Sequence, residues 1–377
     1  MRRPFTRAFV RAIGLLGHAT LAVNLMTVSG ARADEFIEDN NFLAVTIDDR
    51  PVRLESLIIK SASATGRLPI AILAHGKESG LAGMLSENTV SQAPRGRDLA
   101  RRGYLAVMAM RRGFGQSDGP VPVTTSCSST SLVPIFDSAA DDLDAIYRTV
   151  AKRPDADPTR VIVIGTSEGG AAAVAWGARN PSYLRAVVNL SGGLHFNECD
   201  KSDTLVDAFK VYGLKSRVPN LWLYADNDAL FGKVYPRLRE AFLSGGGDAK
   251  LVSVPSIQPT GHDLATVPNG RLLWLTQLDA FLRFHNLPTW PRQQVDSTMK
   301  KLSAPESLRN AIENYLTAPG DKAFAWSLPS HHVNWNYGGR SLDGVRQAAI
   351  NNCQKAVPVE RCIIVMEEND VLAVPHS

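Results

Sequence analysis

Short apolar runs alternate with longer amphipathic segments over most of the chain, and this alternation limits the possible folds more than any other feature. From the third run onward the runs are continuously apolar, which is typical of parallel strands covered on both faces. We predict strands at 42–48, 52–59, 69–75, 104–110, 161–165, 185–191, 220–225 and 250–255. Helices are predicted between them at 91–102, 137–153, 169–179, 234–244 and 269–284.

Strands and helices in this order predict an α/β fold with a doubly wound, mostly parallel sheet. The first two strands have no helix between them, so we expect an antiparallel start to the sheet. A main domain is assigned to residues 34–287. The prolines within 285–294 indicate a boundary, and we place a linker at 288–299 and a small α+β module at 300–377.

The first 33 residues have the pattern of an export signal. Four arginines in the first eleven residues precede an apolar segment at 13–28, and Ala31-Arg32-Ala33 then supplies the small residues of a cleavage site. The segment is shorter than the roughly 20 apolar residues of a membrane span. We therefore predict cleavage before Asp34, no transmembrane span in the mature chain, and a periplasmic or secreted protein; an uncleaved anchor is the alternative.

Removing this segment changes the charge of the chain. The sequence has 41 Lys and Arg against 37 Asp and Glu, but residues 1–33 carry five arginines and no acidic residue. The mature chain would have 36 basic and 37 acidic residues, a net charge near −1. A chain without excess basic charge gives no reason to expect nucleic acid as a partner.

The four cysteines suggest disulfide bonds, because an even number is typical of exported chains. Three pairings are possible. Cys353 with Cys362 is favoured because both lie in the short C-terminal region, and Cys127 with Cys199 would then join two long loops of the main domain. No C-x-x-C or H-x-x-x-H spacing occurs, so we expect no metal site.

Gly165-Thr166-Ser167-Glu168-Gly169 fits the pattern G-x-S-x-G between a predicted buried strand and a predicted helix. A serine on so sharp a turn has a strained backbone and an exposed hydroxyl, and only small neighbours let strand and helix approach closely. The positive end of the helix also points at the place where negative charge would develop. This context predicts that Ser167 is a nucleophile.

A serine nucleophile needs a base, and the base needs a carboxylate to orient it. In this kind of sheet the chain order is serine, acid, histidine. Asp226 and Asp228 follow the strand at 220–225, and His262 follows the strand at 250–255. Both loops lie at carboxyl ends of strands, where open α/β sheets build their sites.

With these residues, the stretch 42–286 resembles an α/β-hydrolase, similar to the dienelactone-hydrolase-like and peptidase-like esterases. The matching motifs are LAHG (73–76), MRRGFGQSDG (110–119), GTSEGG at the elbow and GHD (261–263). The resemblance implies an acyl-enzyme mechanism on a small-molecule ester, without a cofactor. It favours Asp228 as the acid, because Ala225 would take the small position of the family's G-x-x-D pattern; Asp226 stays the alternative.

The resemblance also implies an oxyanion hole made of two backbone N–H groups. One belongs to Glu168, the residue after the nucleophile, and the other to Lys77 in the loop after the third strand. This loop, HGKESG, departs from the HGGG of lipase-like members. His75 is expected to be a structural histidine of this loop. Arg111 and Arg112 are expected to fix their own loop, RRGFGQSDG (111–119), through backbone hydrogen bonds, and the alternative is that they steer an anionic substrate.

Two segments, 192–218 and 120–136, are predicted to cover the site, and a bond between Cys127 and Cys199 would staple them over a small entrance. Two alternatives to an esterase remain open. One is a serine peptidase or amidase on the same fold, and the other is a non-catalytic binding protein, which would normally lack one triad member. The sequence suggests no partner for the C-terminal module.

Overall fold

An eight-stranded mixed sheet, with strand order β1-β2-β4-β3-β5-β6-β7-β8, forms the centre of the computed structural model. The structure describes residues 36–121, 126–289, 292–318, 321–327, 329–338 and 341–372, so the predicted export signal lies outside the described residues. The strands are β1 Phe36–Ile47, β2 Arg50–Ser61, β3 Leu68–Ala74, β4 Leu105–Ala109, β5 Ala156–Thr166, β6 Leu184–Leu190, β7 Asn220–Ala225 and β8 Ala249–Val254.

Strand direction confirms the predicted fold class. β1 pairs with β2, and β2 with β4, in antiparallel fashion. All neighbouring pairs from β4–β3 to β7–β8 are parallel. β1 begins at Phe36, six residues before the predicted strand, because the polar residues that precede the apolar run pair with the far end of β2. The carboxyl ends of the parallel strands therefore meet at one edge of the sheet.

Helices cover both faces of the sheet: α1 Gly80–Ser86, α2 Ala93–Arg101, α3 Val133–Val150, α4 Glu168–Gly177, α5 Ser202–Lys215, α6 Tyr235–Ser244 and α7 Pro268–Phe284. Trp176 and Trp222 are buried on one side of the sheet, and Trp274 with the inner residues of α2 on the other. Two of these helices, α1 and α5, were not predicted. α5 lies inside the segment that we expected to cover the site.

The C-terminal residues form a second sheet with its own core. Its elements are α8 Arg292–Leu302, α9 Arg309–Thr317, β9 Lys322–Ser327, β10 Val333–Tyr337, α10 Leu342–Ala356, β11 Cys362–Glu367 and β12 Asp370–Val371, with strand order β10-β9-β11-β12. Ile312, Phe324 and Trp326 are buried in this core, and a disulfide joins Cys353 to Cys362.

The predicted division into domains stays a prediction. Helix α8 occupies most of the predicted linker, and the chain after Asp34 forms one compact unit. Within that unit, ion pairs connect α2, and Arg102 directly after it, with α7. Arg102 bonds both carboxylate oxygens of Asp279, and Arg271 bonds both oxygens of Asp98. Among the described helices, none combines the length and apolar character needed to cross a membrane.

Candidate active site

Ser167 lies on the turn between β5 and α4, in a backbone conformation that side chains rarely adopt. Its φ is 53°, in the left-handed region. The flanking glycines allow the close approach that this turn requires. A Cβ at Gly165 would lie 2.0 Å from the carbonyl oxygen of Gly169, and a Cβ at Gly169 would lie 2.3 Å from the carbonyl oxygens of Ala74 and His75. The turn therefore presents the Ser167 side chain at the carboxyl end of the sheet.

His262 reaches this serine from a short helical turn after β8. The turn spans Gly261–Ala265, and the hydroxyl oxygen of Thr260 accepts a hydrogen bond from the backbone N–H of His262. The imidazole Nε2 lies 3.2 Å from Oγ of Ser167. This is within the distance over which a general base can accept the hydroxyl proton.

Asp228 lies on the other side of the imidazole. Its two carboxylate oxygens are each 3.4 Å from Nδ1 of His262, and Oδ1 also accepts hydrogen bonds of 3.0 Å from the N–H groups of Leu230 and Phe231. Burial would raise the pKa of this carboxyl, but the hydrogen bond and charge of His262 and the N–H of Phe231 outweigh it, so the pKa lies below its usual value. Asp228 is therefore a buried, ionised and anchored carboxylate.

The other acidic residue on this loop, Asp226, points elsewhere. Its carboxylate accepts a hydrogen bond from the hydroxyl of Ser253 on β8. The structure thus brings Ser167, His262 and Asp228 together in one chain of contacts, and Asp226 is not part of it.

The loop after β3, which carries Lys77, lies directly against the nucleophile. A Cβ at Gly76 would be 3.3 Å from Cβ of Ser167. Arg111 holds this loop in place, because its guanidinium donates to the carbonyl oxygens of His75 at 2.6 Å and Gly76 at 3.0 Å. The same guanidinium pairs with the Glu168 carboxylate at 3.1 Å.

His75 is buried beneath this loop. Its Nε2 accepts the backbone N–H of Arg111, and Nδ1 lies 3.0 Å from the carboxylate of Glu87. Burial first, and then the charge of Arg111, lower the pKa of His75, so the ring is neutral and donates through Nδ1. His75 and Arg111 position the loop between them and do not touch Ser167.

Ser167, Glu168, Lys77 and His262 line one cleft of about 590 Å³. The segment 194–198, which belongs to the predicted cover 192–218, forms part of the wall of this cleft. None of the described residues of the second predicted cover, 120–136, lines this cleft, and residues 122–125 lie outside the described residues. A disulfide joins Cys127 of that segment to Cys199, next to the cleft wall.

Some cleft residues were not singled out from the sequence: Gln92 and Arg95 near the start of α2, His195 and Phe196 after β6, and Leu230 after β7. The sequence pattern over α2 predicts a helix, but it does not show which polar residues of that helix face the cleft. Within the described part of the chain, no three His, Cys, Asp or Glu side chains are grouped so that they could hold a metal ion.

The mostly parallel sheet, with helices on both of its faces, fits the fold of the α/β-hydrolases. A family model described as serine aminopeptidase, S33, matches residues 82–231. The match confirms the resemblance to this class of hydrolases over the part of the chain that includes Ser167 and Asp228.

Solved structures similar to this chain include three hydrolases. A Klebsiella pneumoniae protein named as a dienelactone hydrolase is 21% identical, with a TM-score of 0.46 over 64% of this chain and 98% of that one. A dienelactone-hydrolase-like promiscuous phosphotriesterase from metagenomic libraries is 15% identical, with a TM-score of 0.47 over 65% and 96% of the two chains. An esterase of Pyrococcus furiosus is 16% identical, with a TM-score of 0.44 over 65% and 90%.

Proposed function

We propose that the chain is a serine esterase that cleaves carboxylic esters through an acyl-enzyme. The observation that carries this proposal is the continuous contact from the Ser167 hydroxyl, through the imidazole of His262, to the buried carboxylate of Asp228. A hydroxyl is a weak nucleophile unless a base takes its proton, and the base must be held in one orientation to do so.

In the proposed mechanism, His262 accepts the proton of Ser167 as Oγ attacks the ester carbonyl. Asp228 holds the imidazole and stabilises its charged form. The N–H groups of Glu168 and Lys77 are the proposed donors to the oxyanion, and each such donor is worth about 100- to 1000-fold in turnover. His262 then protonates the leaving alcohol, and a water molecule, activated by the same imidazole, releases the acid.

The cleft volume suggests a small or medium substrate. At about 590 Å³, the cleft is within the range of roughly 300–1,000 Å³ that holds small ligands. The cleft is lined by polar residues as well as by Leu194, Phe196 and Leu230. This mixture favours an ester with both a polar and an apolar part over a long-chain lipid.

A peptidase or amidase is the second candidate, because the matching family model is described as a serine aminopeptidase. The two activities are distinguished by comparing kcat/KM for a 4-nitrophenyl ester and for amino-acid 4-nitroanilides with an unblocked amino group. We expect the wild type to hydrolyse the ester at least about 100-fold faster than the anilides, and Ser167→Ala to lose both activities. An anilide activity equal to or higher than that on the ester would reverse the order of the two candidates.

We also propose that the protein is exported to the periplasm or secreted after cleavage before Asp34. The disulfides Cys127–Cys199 and Cys353–Cys362 are compatible with an oxidising compartment. The intact mass of the exported chain tests the cleavage site.

A further inference from the structure

The backbone N–H groups of Lys77 and Glu168 share a feature that suits donors to an oxyanion. Both residues line the cleft, and neither N–H donates a hydrogen bond to any of the described residues. Lys77 belongs to the loop after β3, whereas Glu168 is the first residue of α4. Donors of this kind stabilise an oxyanion only when they are held in place before the reaction. The contact that fixes these two elements to each other therefore matters for turnover.

Arg111 is buried between these two elements and bonds both of them. Its side chain is 2% exposed. The guanidinium donates hydrogen bonds of 2.6 Å to the carbonyl oxygen of His75, 3.0 Å to that of Gly76 and 3.1 Å to Oε1 of Glu168. One rigid, planar group thus ties the loop after β3 to the start of α4.

The peptide between Gly76 and Lys77 converts this contact into a direction for the Lys77 N–H. The C=O of Gly76 and the N–H of Lys77 belong to one planar trans peptide, in which the two bonds point in opposite directions. A carbonyl oxygen that is fixed on Arg111 therefore fixes the N–H on the other side of the same peptide. Nδ1 of His75 lies 2.9 Å from this oxygen and gives it a second contact.

The side chain of Glu168 places a negative charge on a residue that supplies one of the two proposed donors. This carboxylate is buried, and Arg111 gives it its only hydrogen bond among the described residues. Its Oε2 has no hydrogen-bond partner there, and the ammonium of Lys77 is 3.9 Å away. Without its cation, a buried carboxylate would oppose the formation of a second negative charge close by. The ion pair with Arg111 removes this opposition.

We propose that Arg111 is a positioning residue for the oxyanion hole: its guanidinium holds the N–H groups of Lys77 and Glu168 in place and keeps the Glu168 carboxylate paired. Arg111 does not line the cleft, so it acts only through these residues. The inference rests on the proposed esterase function and on its proposed donors. It predicts that loss of the guanidinium weakens binding of the tetrahedral transition state more than binding of the planar ester.

The test measures inhibition by benzyl trifluoromethyl ketone beside hydrolysis of 4-nitrophenyl butyrate. Oγ of Ser167 adds to the ketone carbon, the serine proton passes to His262, and the carbonyl oxygen becomes the oxyanion of a reversible hemiketal. The Ki of the ketone therefore reports stabilisation of the oxyanion, and it does not depend on the fraction of folded enzyme. For the ester, kcat/KM reports the same stabilisation in the transition state.

We expect Arg111→Gln to lower kcat/KM and to raise the Ki of the ketone, each by about 10- to 100-fold, because the two donors are no longer held in place. Arg111→Lys keeps the charge but has no planar group that reaches three acceptors, so its loss should be intermediate. Adding Glu168→Gln to Arg111→Gln removes the unpaired carboxylate and should restore part of both values. Since Ki reports only on folded enzyme, its recovery would not be a recovery of folding.

Arg53→Gln is the matched control. Arg53 bonds Asp118 at the other end of the loop that carries Arg111, and its side chain is exposed and outside the cleft. An exposed ion pair of this kind contributes little, so Ki and kcat/KM should stay within about twofold of the wild type.

Two results would overturn the inference in different ways. If Arg111→Gln leaves the Ki of the ketone within about twofold of the wild type, Arg111 does not act on the oxyanion, while the esterase proposal stands. The Ki of Arg111→Lys decides in the same way if Arg111→Gln does not fold. A wild type that neither hydrolyses the ester nor binds the ketone would contradict the esterase proposal itself, and this inference with it.

Discussion

Replacing His262 with glutamine is expected to lower kcat for ester hydrolysis by about 10⁴-fold or more. The imidazole Nε2 is the only basic atom found within hydrogen-bond distance of the Ser167 hydroxyl among the described residues. Glutamine has a similar reach but cannot accept and return a proton, so the hydroxyl would remain un-ionised during attack. The measurement is steady-state hydrolysis of a 4-nitrophenyl ester, with the melting temperature recorded to show that the variant is folded.

His285→Gln provides the matched control for this variant. His285 follows the end of α7, where its ring packs against Phe281, and it does not line the cleft. The same substitution there should change kcat by less than about threefold. A folded His262→Gln variant that keeps more than about one tenth of the wild-type activity would mean that another group removes the serine proton.

Asp228→Asn is expected to lower kcat by about 10⁴-fold without unfolding the protein. The carboxylate accepts from Nδ1 of His262 and fixes the tautomer in which Nε2 is free to act as a base. An asparagine that retains the N–H bonds from Leu230 and Phe231 can present its NH₂ group to the imidazole, which favours the wrong tautomer.

The ionisation of Asp228 has a pH dependence that follows from the lowered pKa of this carboxyl. A carboxyl whose pKa is lowered in the folded protein is ionised above its usual value of about 4 and loses its charge only at lower pH. A ¹³C NMR titration should therefore show no protonation of the Asp228 carboxyl between about pH 5 and about pH 8. A shift change of the size of a carboxyl titration within this window would mean that Asp228 titrates there.

Asp226→Asn separates this role from a general effect of charge on the loop. Asp226 lies two residues away and bonds Ser253, not His262. Its replacement should change kcat by less than about threefold. If Asp226→Asn lost as much activity as Asp228→Asn, the orienting acid would not be the residue that lies against His262.

Much of the candidate site could be predicted because its residues are fixed by the ends of strands. A continuous apolar run locates β5, and the glycines around Ser167 allow the sharp turn from this strand into the next helix. The position of Ser167 could therefore be predicted without knowing how the protein packs. The loops after β7 and β8 end at the same edge of a parallel sheet, which brings Asp228 and His262 near the serine.

Other features depend on packing that a local pattern does not contain. The start of α3 at Val133 was missed, although Pro134 is a signal for the first turn of a helix. Strand β10 could not be predicted, because VNWNY has too few aliphatic residues to stand out from a loop. The position of Arg95 depends on how α2 rotates against the sheet, and the choice between Asp226 and Asp228 depends on which carboxylate the loop turns inward.

The most direct test of the account is mass spectrometry of the mature protein after reaction with a fluorophosphonate, beside the Ser167→Ala variant. Such a probe reacts with a serine only when its hydroxyl is activated and an oxyanion can be stabilised next to it. We expect one adduct per chain, located on Ser167 and absent from the variant. A folded wild-type protein that forms no adduct, or forms it equally in Ser167→Ala, would contradict the proposal that Ser167, His262 and Asp228 form a working triad.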